Sequence, residues 1–373
     1  MFLYNKAFHE GMKTISILHT GGTLASKVNP KGGVSAQYSE KDILNLYPEI
    51  KSLAKIKSRL VLNISSENMD FSHYNLLAKE IQKEVNSKVD GIIVTHGTDT
   101  LHYTSAALSF ILESLPIPVI LVGAQRSSDR GSSDAGLNLI SAVNFINKTD
   151  FSGVAICMHS SMEDTHCSIL PGLKTRKLHT SRRDAFKSVN SKPYALVYHD
   201  KGFDWIRKDH KKVDKSLKLS LKLFNPKIKV GILKSHPNMV PDEIKFYSKF
   251  DGLILEGTGM GHFPIGDTDK GTKENKNILA ELKKLAAKMP VVMTSQCIFG
   301  RVNMDVYNLG RRLLEVGILG NLNDMTSETA FIKLSWLLSN YSKKEAKTLI
   351  SENLRGETSD RTNTEFLDEK FSK

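Results

Sequence analysis

The stretch Lys13–Ala25, KTISILHTGGTLA, decides the reading of this chain. An apolar, β-branched run ends in a Gly-Gly pair flanked by Thr20 and Thr23, the pattern of a strand opening into a turn. Glycines let the backbone approach a ligand closely, and a threonine beyond them can project its hydroxyl into the crevice at the strand's carboxyl end. A plain tight turn uses glycine for its backbone angles alone, so the turn by itself leaves both readings open. The arrangement returns at Gly91–Thr100, GIIVTHGTDT, where a second strand runs into Thr98 and Asp99. Those residues either cap the following helix or share the sheet edge of Thr23, where open α/β sheets bind ligands.

Outward from these two strands, Leu60–Ile64, Val119–Val122 and Val154–Met158 read as strands, and Tyr74–Val85, Thr100–Leu115 and Asp134–Asn147 as amphipathic helices. Strand, turn and helix in alternation predict a parallel α/β sheet. A second series has strands at Lys229–Leu233, Gly252–Leu255 and Val291–Thr294, with helices at Pro241–Phe250, Glu274–Lys288, Gly310–Val316 and Glu328–Leu338. Between the series, the lysine-rich stretch Asp200–Lys227 contains SLKLSLKLF, whose period of two predicts a hairpin or short strands. The expected organisation is an N-terminal catalytic domain over 1–199, a basic connection over 200–227, and a C-terminal α/β domain over 228–352. A charged tail over 353–373, ordered in part at best, completes the chain.

Composition narrows the class. The 373 residues are 40% hydrophobic and 25% charged, which is globular usage and excludes a disordered chain. No apolar run reaches the ~18 residues of a membrane span, and the start, MFLYNKAFHEGMKT, lacks the apolar core of a signal peptide. Cys157, Cys167 and Cys297 form no CxxC pair, which excludes a disulfide framework and points to the cytosol. The net charge of +12 favours polyanionic partners, nucleic acid first, although a lysine-rich soluble surface is the commoner cause of such an excess.

Two hydroxyl-bearing strand ends on one edge suggest nucleophilic chemistry by threonine. Its hydroxyl is a weak nucleophile and needs a base. A partly buried lysine with a lowered pKa can serve, though the residues alone do not rank the many lysines.

Three motifs, HTGGTLAS, THGTDTLHYTSAAL and LVGAQRSSDRGSSDAGLNL, resemble the L-asparaginase/glutaminase family of two-domain amidohydrolases, and the likeness runs from about Lys13 to about Asn340. It implies a larger N-terminal α/β domain with a mixed, mainly parallel sheet and a smaller parallel C-terminal α/β domain. SSENM (Ser65–Met69), TRKLHTSRRDAFKSVN (Thr175–Asn190), QCIFGRVNMDVY (Gln296–Tyr307) and MTSETAFIKLSWLL (Met325–Leu338) resemble its tRNA-linked branch, the D-type subunits of archaeal glutamyl-tRNA(Gln) amidotransferases. By position, the resemblance makes Thr23 the primary nucleophile, Thr98 and Asp99 the second threonine and its aspartate, and Lys177 the lysine partnered with that threonine. Ser66 and Glu67 match the pair that holds the substrate's α-carboxylate and α-amino groups. Glu67 stands where ordinary members of the family usually carry Gln. The resemblance also implies free glutamine or asparagine as substrate, a homodimer, an E-type amidotransferase partner and tRNA bound through the complex. It implies no membrane and no cofactor in this chain, ATP and Mg belonging to the partner. The rival readings are a free-standing L-asparaginase and a binding protein that has lost the chemistry.

The sequence departs from the family in three places. Asn29-Pro30-Lys31 stands where the mobile loop usually carries an activating tyrosine, and the nearest phenol is Tyr38. The tRNA-linked branch has an extra N-terminal β domain, whereas this chain starts about a dozen residues before its first strand, with Met12 itself a plausible start. The carboxylate that a neighbouring copy contributes has no assigned position. Elsewhere, Gly257–Gly261 (GTGMG) is too weak a signal for a dinucleotide, the histidines form no H-E-x-x-H zinc pair, and Cys297 is expected to be a buried small hydrophobe.

Overall fold

The computed structural model describes residues 12–22, 26–28, 34–36, 45–200 and 202–362. Strands β1 (Thr14–His19), β2 (Lys55–Leu60), β3 (Gly91–Thr95), β4 (Pro118–Val122), β5 (Phe151–His159) and β6 (His166–Pro171) belong to one large sheet. A hairpin of β7 (Thr175–Lys177) and β8 (Phe186–Ser188) follows, and β9 (Ala195–Tyr198) and β10 (Gly202–Trp205) complete the sheet. Its order is β10-β9-β6-β5-β4-β3-β1-β2. Pairing is parallel from β2 through β5 and antiparallel from β5 to β10. The second domain has the parallel sheet β11 (Val230–Lys234), β12 (Gly252–Gly257) and β13 (Val291–Ser295). This is the two-domain α/β architecture expected.

Helices α1 (Phe71–Asn86), α2 (Leu101–Ile111) and α3 (Ala135–Lys148) flank the large sheet. In the second domain lie α4 (Asn275–Lys288), α5 (Asn308–Glu315) and α6 (Ser327–Asn340). One apolar cluster runs from α1 and α2 through one face of the large sheet to α6, so the two domains share a core. At its centre Trp336 stacks on Phe110 with ring centroids 5.3 Å apart. The stacked pair buries a large aromatic area where α2 meets α6.

Three differences from the sequence reading have physical causes. The second strand is Lys55–Leu60, not Leu60–Ile64. It is the sheet's edge, so its charged, alternating face meets water, while Val61, Leu62 and Ile64 bond back to His19 and Thr20 as a turn. Helix α2 stops at Ile111 rather than Leu115, because Ser114 takes the left-handed φ of 55° and Pro116 follows. Of SLKLSLKLF, only Ser220–Leu221 pairs, with Leu112–Glu113. Within the rest of the connecting stretch, Gly202–Trp205 completes the large sheet, and Lys211–Lys212 pairs with β5. Residues 353–362 of the charged tail pack between the domains, with Glu357 fully buried.

Candidate active site

Four strand exits lie side by side at the carboxyl edge of β2, β1, β3 and β4. Gly21 and Gly22 leave β1 with φ of 102° and 78°, which favour glycine. A Cβ on Gly21 would lie 2.6 Å from the Ile64 carbonyl oxygen, and one on Gly22 would collide with the Gly97 backbone. A Cβ on Gly97 would come within 2.8 Å of Ser66, and one on Gly123 within 2.9 Å of Thr98 Cγ2. The glycines therefore serve close approach as well as turning: backbone stacks on backbone, and the space a side chain would fill is left to Ser66 and Thr98.

Histidines brace this edge from below. His19 reaches Thr95 Oγ1 at 2.8 Å through Nδ1 and Ser58 Oγ at 2.9 Å through Nε2, tying β1 to both neighbours. His96 Nδ1 donates to the Gly97 carbonyl at 2.7 Å, leaving Nε2 to accept from Thr104 Oγ1 at 2.9 Å. Burial pulls the His96 pKa down to about 4, so the ring is neutral near pH 7.

The structure brings Thr98, Asp99 and Lys177 together. Lys177 Nζ donates to Thr98 Oγ1 at 3.0 Å and to Asp99 Oδ1 at 2.7 Å. Thr98 and the lysine side chain are largely withdrawn from solvent, while the Asp99 side chain is 65% exposed. The helix-cap alternative fails here. The N-cap of α2 is Thr100, whose hydroxyl donates to the Ser66 carbonyl at 2.5 Å, and the Thr98 and Asp99 side chains turn to Lys177 instead. Lys177 ends β7 between two anchors: Thr175 Oγ1 donates to the Pro171 carbonyl at 2.6 Å, and Arg176 pairs with Glu328 of α6 at 2.8 Å. The second domain thus helps hold the lysine.

Ser66 is buried and Glu67 exposed on the 3-10 turn Ser66–Asn68 at this edge. Among the described residues Glu67 has no hydrogen-bond partner, which leaves its carboxylate available to a ligand. Thr23, Tyr38 and Asn29-Pro30-Lys31 lie outside the described residues. Sequence reasoning passed over Asp134, Asn138 and His159, which support the loop after β4; the DAGLN run carries the first two, and no motif marks His159. Two further expectations are resolved in the second domain. Cys297 is exposed, not buried, because it sits in the loop after β13. The GTGMG glycines serve a tight turn closed by the Thr258–His262 bridge, and a Cβ on Gly261 would strike Met293 and Val302 at 2.9 Å.

The family description "Asparaginase, N-terminal" fits residues 14–210, and "Glutaminase/Asparaginase C-terminal domain" fits residues 229–349. This chain belongs to the asparaginase family. Within it, the chain is similar to the D-type subunit of the glutamyl-tRNA(Gln) amidotransferase of Methanococcus vannielii, 43% identical over 361 residues, 95% of this chain and 81% of the relative. The corresponding amidotransferase chain of Thermococcus kodakarensis is 41% identical, across 93% of this chain and 77% of the relative. Among solved structures, the thermostable L-asparaginase of Thermococcus kodakarensis matches with a TM-score of 0.81 and 30% identity, covering 93% of this chain and all 100% of that one. L-asparaginase I of Vibrio cholerae matches at 0.79 and 27% identity, over 94% and 100%. No helix among the described residues is long and apolar enough to cross a membrane.

Proposed function

We propose that this chain hydrolyses the side-chain amide of glutamine or asparagine to release ammonia, as the amidase component of a cytoplasmic tRNA-dependent amidotransferase that converts Glu-tRNA(Gln) to Gln-tRNA(Gln). One observation carries the assignment. Against two proteins of a single organism, Thermococcus kodakarensis, the chain is 41% identical to the amidotransferase chain and 30% identical to the L-asparaginase. The full coverage of the asparaginase favours the second reading, a free-standing L-asparaginase, only as far as the shared fold.

In this mechanism Thr23 attacks the amide carbonyl, and the Thr98–Lys177–Asp99 chain carries the proton released by the attack toward the leaving ammonia. The 3.0 Å and 2.7 Å contacts of Lys177 support that role. Backbone N–H groups of the Gly-rich turns hold the oxyanion, each worth ~3–4 kcal/mol. Water then releases glutamate or aspartate from the acyl-enzyme. Ser66 and Glu67 receive the substrate's α-carboxylate and α-amino groups. Glutamine and asparagine differ by one methylene, which an apolar pocket discriminates by only ~1–3 kcal/mol.

The protein works without a metal or organic cofactor, as a homodimer, beside an E-type amidotransferase partner that uses ATP and Mg. Alone it binds tRNA weakly and without sequence preference, since phosphate-mediated binding falls roughly 10³–10⁵-fold between 50 and 200 mM salt for 6–10 contacts. The test is ammonia release by the reconstituted pair with and without ATP and Glu-tRNA(Gln). Stimulation by charged tRNA supports the amidotransferase. Asparagine hydrolysis at full rate by the chain alone, unmoved by partner or tRNA, makes it a free-standing asparaginase.

A further inference from the structure

A second set of buried groups lies one layer behind the site. Asp134, fully buried before α3, accepts the backbone N–H groups of Gln125 and Arg126 at 3.0 Å. These residues continue the loop that leaves β4 through Gly123, whose Cα packs on Thr98. Asn138 Nδ2 donates to Asp134 Oδ2 at 3.1 Å and to the Gly123 carbonyl at 3.0 Å. Both partners are acceptors, so the orientation of this amide is settled and its Oδ1 points the other way. There it meets His159 Nδ1 at 2.6 Å. An amide oxygen only accepts, so Nδ1 carries a proton.

The other ring nitrogen of His159 faces Asp164 Oδ1 at 3.0 Å. A carboxylate also only accepts, so Nε2 carries a proton too. The fully buried His159 is therefore an imidazolium. Asp164 Oδ1 in turn receives Arg183 Nη1 at 2.5 Å, and Arg183 also donates to the Met162 carbonyl. Arg183 lies in the turn of the β7–β8 hairpin, whose first strand ends on Lys177. One ring thus stands between two arms of the site: the loop behind Thr98, reached through Asn138 and Asp134, and the hairpin of Lys177, reached through Asp164 and Arg183.

We propose that His159 is a positioning residue that holds the loop behind Thr98 and the hairpin of Lys177 in register, and that it does so only while doubly protonated. The inference rests on the reading of Thr98 and Lys177 as the reactive pair. A neutral imidazole has one N–H and can serve only one arm. Nδ1 and Nε2 would then compete, and whichever partner lost its donor would face a lone pair.

The surroundings favour the charged ring. Besides Asp164 and Asp134, the groups around it are Cys167 on β6, whose Sγ lies 3.3 Å from Asn138 Oδ1 and 4.0 Å from His159 Nδ1 and whose thiolate form the neighbouring ring favours, and the Cys157 thiol on β5, which donates to the Asn138 carbonyl at 3.4 Å. The cation on the hairpin side is Arg183, which Asp164 separates from the ring. Burial lowers the His159 pKa, while Cys167, Asp164 and Asp134 raise it, and the balance lies above the ordinary imidazole value. The sign follows: the clamp is intact below that raised pKa and is lost as pH climbs through it.

The experiment uses the full chain, with its partner if activity requires one. Histidine labelled with ¹⁵N reports the protonation of both His159 nitrogens across pH, and lysine labelled at ¹³Cε reports the surroundings of Lys177. We expect both His159 nitrogens protonated at pH 7.5, and a Lys177 signal that moves with the His159 titration. The alkaline limb of kcat for amide hydrolysis should share that midpoint. Asp164→Asn changes a mostly exposed side chain and should shift the titration and the limb down together, by about one pH unit, with KM within twofold. His159→Gln should lower kcat by about tenfold and erase the limb. A neutral His159 at pH 7.5, or a titration in Asp164→Asn that shifts without moving the limb and the Lys177 signal, overturns the proposal. If the wild-type protein hydrolyses neither amide, the proposed function fails, whereas coupling between the His159 and Lys177 signals still decides this inference.

Discussion

Lys177 and Lys333 are both withdrawn from water beside a carboxylate, yet their surroundings differ. Lys177 has two acceptors, Thr98 Oγ1 and the exposed Asp99, and its third N–H has no acceptor among the described residues. Lys333, on α6, is fully buried and satisfied three times, by Glu357 at 2.7 Å, the Ile350 carbonyl at 2.9 Å and the Glu352 carbonyl. Glu357 also accepts the N–H groups of Leu354 and Arg355 at 2.9 and 2.7 Å. The segment that carries it continues across both domains: Arg355 pairs with Glu113 at 2.5 Å, and the Ser359 N–H reaches Asp324 at 3.0 Å. Asp324 in turn pairs with Lys174 at 2.8 Å. A lysine with spare hydrogen-bonding capacity beside a hydroxyl can exchange protons, while one saturated in the interior can only hold structure.

That contrast can be broken by experiment, most strongly at the site. Thr98→Val or Lys177→Met should lower kcat for ammonia release by about 10²–10⁴-fold, the usual worth of a positioned proton carrier. Their urea midpoints should stay near wild type. Half of the wild-type turnover in either variant would remove that residue from the proton path.

Lys333→Met should do the reverse. It leaves Glu357 charged and unpaired in the interior, a loss of about 3–5 kcal/mol in unfolding free energy. Turnover per folded molecule should persist. Adding Glu357→Gln should restore part of the stability, and a double variant no better than the single would show that the pair is not the latch.

The catalytic edge also has a structural cost, carried by His96. Its folded pKa, about 4, lies below the ordinary value of 6.5, so the unfolded chain binds the extra proton. Stability from this group is complete above pH 6.5 and is lost as pH falls toward 4, by about 3 kcal/mol in all at 1.4 kcal/mol per pKa unit. Comparing urea unfolding at pH 6.5 and 4.5 in wild type and His96→Asn isolates it. An identical acid loss in both proteins refutes the assignment.

The smallest effect is expected at Asp90, at the start of β3. Burial raises its pKa, but Lys215 and the Thr14 N–H lower it further, leaving a net depression. Its contribution is present above the ordinary carboxylate range and lost as pH falls through the lowered value. A partly exposed pair of this kind is worth about 1 kcal/mol or less. Asp90→Asn should therefore lower stability at pH 7 by about 1 kcal/mol or less and flatten the acid end of the curve; a larger loss at pH 7 would mean a deeper role.

Much of the fold was legible because parallel strands covered on both faces are apolar runs. Ile15, Ile93, Ile120 and Ala155 are all fully buried, and each lies on a strand read from hydrophobicity. Edge strand Lys55–Leu60 and Gly202–Trp205 mix polar with apolar residues, and Ala195–Tyr198 is an apolar run of only four residues, so none of them stood out. At the site, the two Gly-Thr strand ends could be read from backbone chemistry alone. Lys177 could not: in sequence it is one lysine among many, and only the family likeness singled it out.

By itself the sequence determined the alternation of strand and helix, the two glycine turns and the threonines beyond them. Those depend on local backbone preference and on periodicity, which neighbouring residues carry. Only the tertiary structure decided which lysine meets Thr98, which is sealed against Glu357, and that His159 holds two protons. Desolvation and hydrogen bonding depend on distance through space, and the partners here stand far apart along the chain: Lys177 and Thr98 are 79 residues from each other, and His159 and Asn138 are 21.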